Sequence, residues 1–296
     1  MPHDKSVPEL PTELTDAIID HLHDDKPTLL DCSLVCSSWL ESSRYHLFRS
    51  IRIRGDDPGR GYPEFIAFID GSPHVHKYIQ EVCFRVAGAL ASRPPEIRSV
   101  GPYLLSFVLE TLPSLRSIIL DNVSWDRQLT IGPEGCTPKC WPPASPKALD
   151  TLTFTRVVTE DLHSLRVLRL NDIVEILGSL RSLRVLNFFN LTLELNQGAS
   201  LIPALPEDLQ LEELNAHANY ARLPDTPELD AFHESVTRQL RKLSIACRND
   251  DEAPIVGSLL RTIGTALEEL KLDHSDMSAL RAFSEPCRTI SRFGEF

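Results

Sequence analysis

At 296 residues the chain is long enough for one elongated domain plus a small module, or for two ordinary domains. Its 42% hydrophobic and 24% charged residues fit a soluble globular protein with a sizeable core. The net charge of −12 excludes bulk attraction to nucleic acid or to an anionic membrane, although not a local basic spot.

Residues 1–9 read as a loose tail without the apolar stretch of a secretory signal. Pro11-Thr12 opens a first helix, whose Leu10, Leu14, Ile18 and Leu22 recur every four residues as one apolar stripe. Pro27 suits the first turn of a second helix, because its missing N–H is not needed there. Leu29, Leu30 and Leu34 continue that helix, and Trp39, Leu40, Tyr45, Leu47 and Phe48 belong to a third. Ile51 and Ile53 alternate with arginines, as in the start of a strand. The glycine-rich turn at 55–62 is the expected linker between a 10–54 module and a 63–296 domain. A short helix is predicted over Pro63–Asp70, with Phe65, Ile66 and Ile69 on one face.

Beyond it the pattern Leu-x-x-Leu-x-Leu repeats, with aliphatic or aromatic replacements. Matches start at Ile79, Leu115, Leu149, Leu165, Leu183, Leu211, Leu240 and Leu267, at intervals of 36, 34, 16, 18, 28, 29 and 27 residues. The last two positions of each match share one face of a strand, because side chains alternate along it. One such strand buries little alone, whereas stacked neighbours bury a continuous core. Helical stretches are expected between matches over Ile97–Leu112 and Asp172–Leu180, after Thr226-Pro227-Glu228, and around Leu259, Leu260 and Ile263. The two short intervals leave room only for a strand and a brief return. Strand then helix, repeated, matches an irregular leucine-rich-repeat array. Unrelated βα units in a compact α/β domain are the competing arrangement. Residues 132–147 hold five prolines and read as a loop inserted between repeats. Near the end, Ser291–Phe296 follows a repeat with no obvious cap; the helix suggested over Asp276–Phe283 is one candidate for it, and a fragment of a longer chain is the alternative.

The N-terminal segment closely resembles an F-box. The residues that carry the likeness are Leu10-Pro11-x-Glu13-Leu14, Ile18-Ile19 and Leu22, then Leu29-Leu30-x-Cys32-Ser33-Leu34-Val35-Cys36-x-x-Trp39 and Leu47-Phe48. The spelling is similar to that of F-box proteins expanded in mushroom-forming fungi. One departure is Ser38, where the family often has a basic residue. The remainder resembles the leucine-rich-repeat-like region of those proteins less specifically. The resemblance implies an α/β protein: a small three-helix F-box, then an irregular leucine-rich-repeat-like solenoid with parallel strands. It further implies a non-catalytic substrate adaptor of a Skp–cullin–F-box ubiquitin ligase. The F-box would dock on a Skp-family linker protein, which joins it to the cullin and RING subunits, while the repeats hold an unknown protein substrate. A scaffold acting with the linker outside ubiquitylation is the alternative.

A 45-residue unit cannot bury all its own apolar residues, and each Leu or Ile is worth about 1.5–3 kcal/mol when covered. The expected linker-binding residues are Leu10, Pro11, Leu14, Ile18, Leu29, Leu34, Val35, Trp39 and Leu40. The expected target-binding residues point away from the repeat core: Ile119, Arg169, Asn171, Asn187, Phe189, Asn215, His217 and Lys271. Aromatic and arginine side chains are typical interface anchors.

Nothing in the sequence assembles a catalytic constellation, and no cofactor or metal is expected. Cys136 and Cys140 supply only two of the four ligands structural zinc needs. The seven cysteines are scattered and read as reduced thiols of the cytosol or nucleus, with Cys32 and Cys36 on one helix face. Neither a phosphate loop nor a nucleophile elbow is spelled. The longest apolar run, Tyr103–Leu120, is broken by Glu110, Pro113 and Arg116, so no membrane span is expected.

Overall fold

Apolar residues at every second position make a strand bury one face, and that rule organises most of this chain. The computed structural model describes residues 10–57, 59, 61–87, 99–126, 147–159, 168–194, 209–219, 239–247, 252–263 and 267–274. The predicted tail, residues 132–146, Leu165, the helix after Thr226 and the helix at Asp276–Phe283 lie outside them.

Three helices come first: α1 (Thr12–His21), α2 (Lys26–Val35) and α3 (Ser37–Phe48). Asp25 caps α2 by accepting the Thr28 backbone N–H at 3.2 Å, and Pro27 sits in the first turn as its fixed φ favours. The core of this unit is small. Ile19, Leu29 and Cys32 are buried, with Leu22, Trp39 and Leu47 half-buried against them. Polar side chains tie α1 to α3: Ser42 donates to Asp16, and His46 Nε2 lies 2.7 Å from Asp20 Oδ1.

The rest is mixed α/β, and every strand pairing among the described residues is parallel. In chain order the strands are β1 (Ser50–Arg54), β2 (Glu81–Arg85), β3 (Ser99–Val100), β4 (Ser117–Asp121), β5 (Ser124–Trp125) and β6 (Lys147–Thr155). They continue as β7 (Val158–Thr159), β8 (Leu168–Arg169), β9 (Leu180–Glu194), β10 (Glu213–Asn219), β11 (Lys242–Cys247) and β12 (Glu269–His274). The main sheet runs β1-β2-β4-β6-β9-β10-β11-β12, so consecutive long strands are neighbours.

Register alignment across this sheet is continuous. Ile51, Val82, Ile118, Leu152, Leu186, Leu214, Leu243 and Leu270 form one row. Ile53, Phe84, Leu120, Phe154, Phe188, Ala216, Ile245 and Leu272 form the next. These rows are the last two positions of the repeated sequence pattern. They are buried from β2 through β11 and half-buried at Leu270 and Leu272.

The helices that follow strands cover the same core. They are α4 (Tyr62–Gly71), a 3-10 helix (Pro73–Tyr78), α5 (Pro102–Thr111), α6 (Leu170–Gly178) and α7 (Ala253–Thr262). Phe65, Ile69, Leu105, Val108, Ile173, Leu177, Val256 and Leu259 join the two rows in one cluster.

Three expectations need correction. The match at Leu165/Leu168/Leu170 is not a unit of the main sheet. Leu168 lies in the two-residue β8, which pairs with the end of β9, and Leu170 begins α6. Without it the interval from Leu149 to Leu183 is 34 residues, like the two before it, and the space holds a full helix. The stretch predicted as one helix from Ile97 opens instead with β3, and α5 starts at Pro102. Finally, Lys147 is the first residue of β6 rather than loop; its Nζ donates to the Leu112 carbonyl past the end of α5, at 2.9 Å.

A second, short sheet orders β3-β5-β7. The bend into it is made by non-glycine residues in the left-handed region, Asn122 (φ 56°) and Arg156 (φ 54°); Asn190 (φ 53°) lies in the same region within β9, ahead of the residues that pair with β8. Asn122 N–H donates to the Thr155 carbonyl at 2.7 Å, and Arg156 N–H to the Phe189 carbonyl at 3.0 Å. The turn is therefore stacked along with the strands.

The three-helix unit meets the sheet through α3. Tyr45 and Phe48 pack on the larger core, Phe48 stacks on Phe68 of α4, and Lys77 pairs with Glu41 at 2.7 Å. β1, placed by sequence at the end of the N-terminal module, hydrogen-bonds into the main sheet.

Candidate binding surfaces

On α1 and α2 the apolar residues exceed what three helices can enclose. Leu10, just ahead of α1, and Leu14 and Ile18 on it are all exposed. On α2, Leu34 is 84% and Val35 63% exposed. Pro11 is exposed beside Leu10, while Trp39 and Leu40 are half-buried. Leu29 is different: it is fully buried and belongs to the unit's own core, so it cannot touch a partner directly. The outward residue is its neighbour Leu30, 55% exposed, which the expected contact set omits. The helical period carries that distinction. Leu29 and Leu30 are about 100° apart, and Leu30 shares its face with Leu34 four residues on.

The face of the main sheet opposite the buried rows presents three further rows. The first contains Glu81, Ser117, Thr151, Val185, Glu213, Lys242 and Glu269. The middle row runs Arg52, Cys83, Ile119, Thr153, Asn187, Asn215, Ser244 and Lys271. Arg54, Arg85, Asp121, Thr155, Phe189 and His217 make the third. Six of the eight expected target-binding residues therefore lie on two adjacent rows: Ile119, Asn187, Asn215 and Lys271 on one, Phe189 and His217 on the other.

Arg169 and Asn171 do not join them. Arg169 ends β8, whose partner is the far end of β9. Asn171 lies in the first turn of α6, 8% exposed, with its side-chain oxygen lacking a hydrogen bond. The Leu165 match spells a sheet strand in sequence, and that spelling is what points both residues toward the face.

Chemically the face has zones. In its middle, Asn187 Nδ2 donates to Thr153 Oγ1 at 2.9 Å, and Asn215 Nδ2 donates to Asn187 Oδ1 at 2.8 Å. The Phe189 ring lies 5.7 Å from the ring of His217, whose Nε2 is 3.0 Å from Ser244 Oγ. This zone carries hydroxyls, amides and an aromatic pair.

Over β10–β12 the charges neutralise one another. Lys271 pairs with Glu269 at 3.0 Å and Lys242 with the same carboxylate at 3.6 Å. The Lys271 hydrogen bond holds the Glu269 carboxyl below its ordinary range, and Glu269 raises the Lys271 ammonium in return. A depression of about 80 Å³ among these side chains, reaching Asn215 and Ser244, has room for little more than water. Over β1–β4, arginines dominate: Arg52, Arg54 and Arg85, with Asp121 held by both Arg85 at 3.2 Å and Arg156 at 2.6 Å. Cys83 is buried among them, which pushes its thiol pKa up.

Among the described residues, no group of three or more His, Cys, Asp or Glu side chains is placed to hold a metal ion. No helix of the described residues is long and apolar enough to cross a membrane. No protein-family model matches the chain, and no curated protein matches it.

Proposed function

We propose that this chain is a substrate-recognition adaptor of a Skp–cullin–F-box ubiquitin ligase. Its three-helix unit docks on a Skp-family linker protein, and the outward face of the parallel sheet receives the target. The N-terminal likeness to an F-box supplies the class. One observation carries the reading: a unit whose core is Ile19, Leu29 and Cys32 leaves Leu10, Leu14, Ile18, Leu30, Leu34 and Val35 in solvent. Apolar stripes of that kind on so small a body mark a protein interface.

The contact set is therefore Leu10, Pro11, Leu14, Ile18, Leu30, Leu34 and Val35, with Trp39 and Leu40 at its margin and Leu29 supporting it from within. The second half of the reading rests on the sheet. Rigid strands hold Ile119, Asn187, Phe189, Asn215, His217 and Lys271 at fixed spacing on one face, as a recognition surface requires. The ubiquitin-transfer chemistry belongs to other subunits of the complex.

Affinity purification with mass spectrometry tests both halves. The wild-type chain brings down the linker together with cullin and RING subunits, and a ubiquitylated target accumulates when the proteasome is inhibited. Replacing Leu10 and Pro11 together by alanine removes all of these. Undiminished linker capture by that variant sinks the docking assignment. Linker capture without cullin or RING turns the reading to a scaffold outside ubiquitylation.

A further inference from the structure

We propose that the β1–β2 end of the outward sheet face binds an acidic, carboxylate-rich peptide segment. This deepens the adaptor reading and rests on it: it states the chemistry of the segment the target presents.

Arg52 and Arg54 are both exposed on β1, and neither has a carboxylate within ion-pair distance among the described residues. Arg54 stands directly opposite Arg85 in register. Like charges facing each other across strands destabilise a sheet, so this placement has a local cost. Arg85 is relieved by its pair with Asp121, whereas Arg54 has no such partner among the described residues. Asp121 is already shared by Arg85 and Arg156, and Glu81 accepts a hydrogen bond from Ser50 at 2.7 Å. Asp56, in the turn after β1, accepts the Ala87 backbone N–H at 3.2 Å. Arg52 and Arg54 are therefore left for an outside anion, on a chain whose net charge is −12.

Geometry selects the kind of anion. Arg52 and Arg54 are two residues apart on one strand, about 6.6 Å, and Arg85 is one strand away, about 4.8 Å. Alternate side chains of an extended peptide have the first of these spacings, so two carboxylates meet the Arg52 and Arg54 guanidinium groups at once. A nucleic-acid backbone needs a longer basic track. The neutral zone of Thr153, Asn187 and Phe189 begins about three strands further on, within reach of the same peptide.

The test is fluorescence anisotropy on the full-length chain with three labelled probes: an oligo-glutamate, the matching oligo-glutamine and a single-stranded oligonucleotide. The oligo-glutamate binds, more tightly as salt is lowered, and the oligo-glutamine does not. Arg52→Glu with Arg54→Glu weakens oligo-glutamate binding by about tenfold or more, and Arg52→Gln with Arg54→Gln by an intermediate factor. The charge-matched pair Lys26→Glu with Arg261→Glu, away from this face, leaves oligo-glutamate binding unchanged. Linker capture by every variant is measured alongside, so loss of the peptide site is separable from loss of the docking module. The proposal is overturned by equal binding of the two peptides, by tighter oligonucleotide binding, or by full binding in the glutamate variant.

Discussion

Asn215 Nδ2 lies 2.8 Å from Asn187 Oδ1 on the neighbouring strand, and Asn187 passes the chain of donors on to Thr153. Adjacent units are thus linked on the outward face by side chains that also offer amides to solvent. Asn187→Ala removes two hydrogen bonds and lowers stability by about 1 kcal/mol in urea denaturation. Asn215→Ala costs about the same, and the double variant costs less than the sum. Strict additivity would show that the ladder is not coupled.

Leu29 and Leu34 separate core from contact. Leu29→Ala opens a cavity in a core with few other members and lowers stability by about 2–5 kcal/mol. Leu34→Glu, at an exposed position, leaves the denaturation midpoint nearly unchanged but abolishes linker capture. If Leu34→Glu keeps the linker, the α2 stripe is not the contact.

That pair also shows what was legible in the sequence. The alternating rows from Val82 to Leu272 could be read because burial of one strand face writes a period of two. The inward or outward choice at Leu29-Leu30 was harder, because α2 has apolar residues on both sides. The Leu165 match misled for a related reason. Leu168 and Leu170 are indeed buried, yet burial alone does not distinguish a strand from the start of α6. The pattern thus points Arg169 and Asn171 toward a face they do not occupy. The left-handed positions were half-legible: Asn122 and Asn190 tolerate that conformation, but arginine at the equivalent position 156 hides the repeat.

The left-handed backbone at Asn190 can itself be tested. Asn190→Gly is tolerated at φ 53°. Asn190→Val forces a β-branched residue into the left-handed region and costs about 1–2 kcal/mol. Equal urea midpoints for the two variants would contradict that conformation.

The Asp25 cap predicts a pH dependence. The Thr28 hydroxyl and backbone N–H bind the ionised carboxylate and hold its pKa below the ordinary 3.8. A carboxyl depressed in the folded state contributes stability that is present above its unfolded pKa and lost as pH falls through the lower folded value. Asp25→Ala therefore lowers helix stability at neutral pH, and the gap to wild type closes below about pH 4. A gap that stays constant as the pH falls below the ordinary carboxylate range would mean the cap does not depend on the charge.

Cys36 provides a footprint of docking that does not depend on mutation. Contrary to the expectation that it shares a helix face with Cys32, Cys36 lies past the end of α2 in extended backbone and is exposed, whereas Cys32 and Cys83 are buried. Burial pushes the Cys83 thiol above its ordinary 9.0, so its thiolate is scarce at neutral pH. Of these three, alkylation at pH 7.5 should label Cys36 first, with Cys83 following only as the pH is raised beyond 9 or the chain unfolds. A partner seated on Leu34 and Val35 covers the adjoining Cys36. Mass spectrometry after a brief iodoacetamide pulse should then show Cys36 protected in the linker complex, while Cys83 is unchanged. Equal labelling of Cys36 in the free chain and the complex would move the interface away from α2, leaving Leu10 and the Leu14–Ile18 face of α1 as the surface to test.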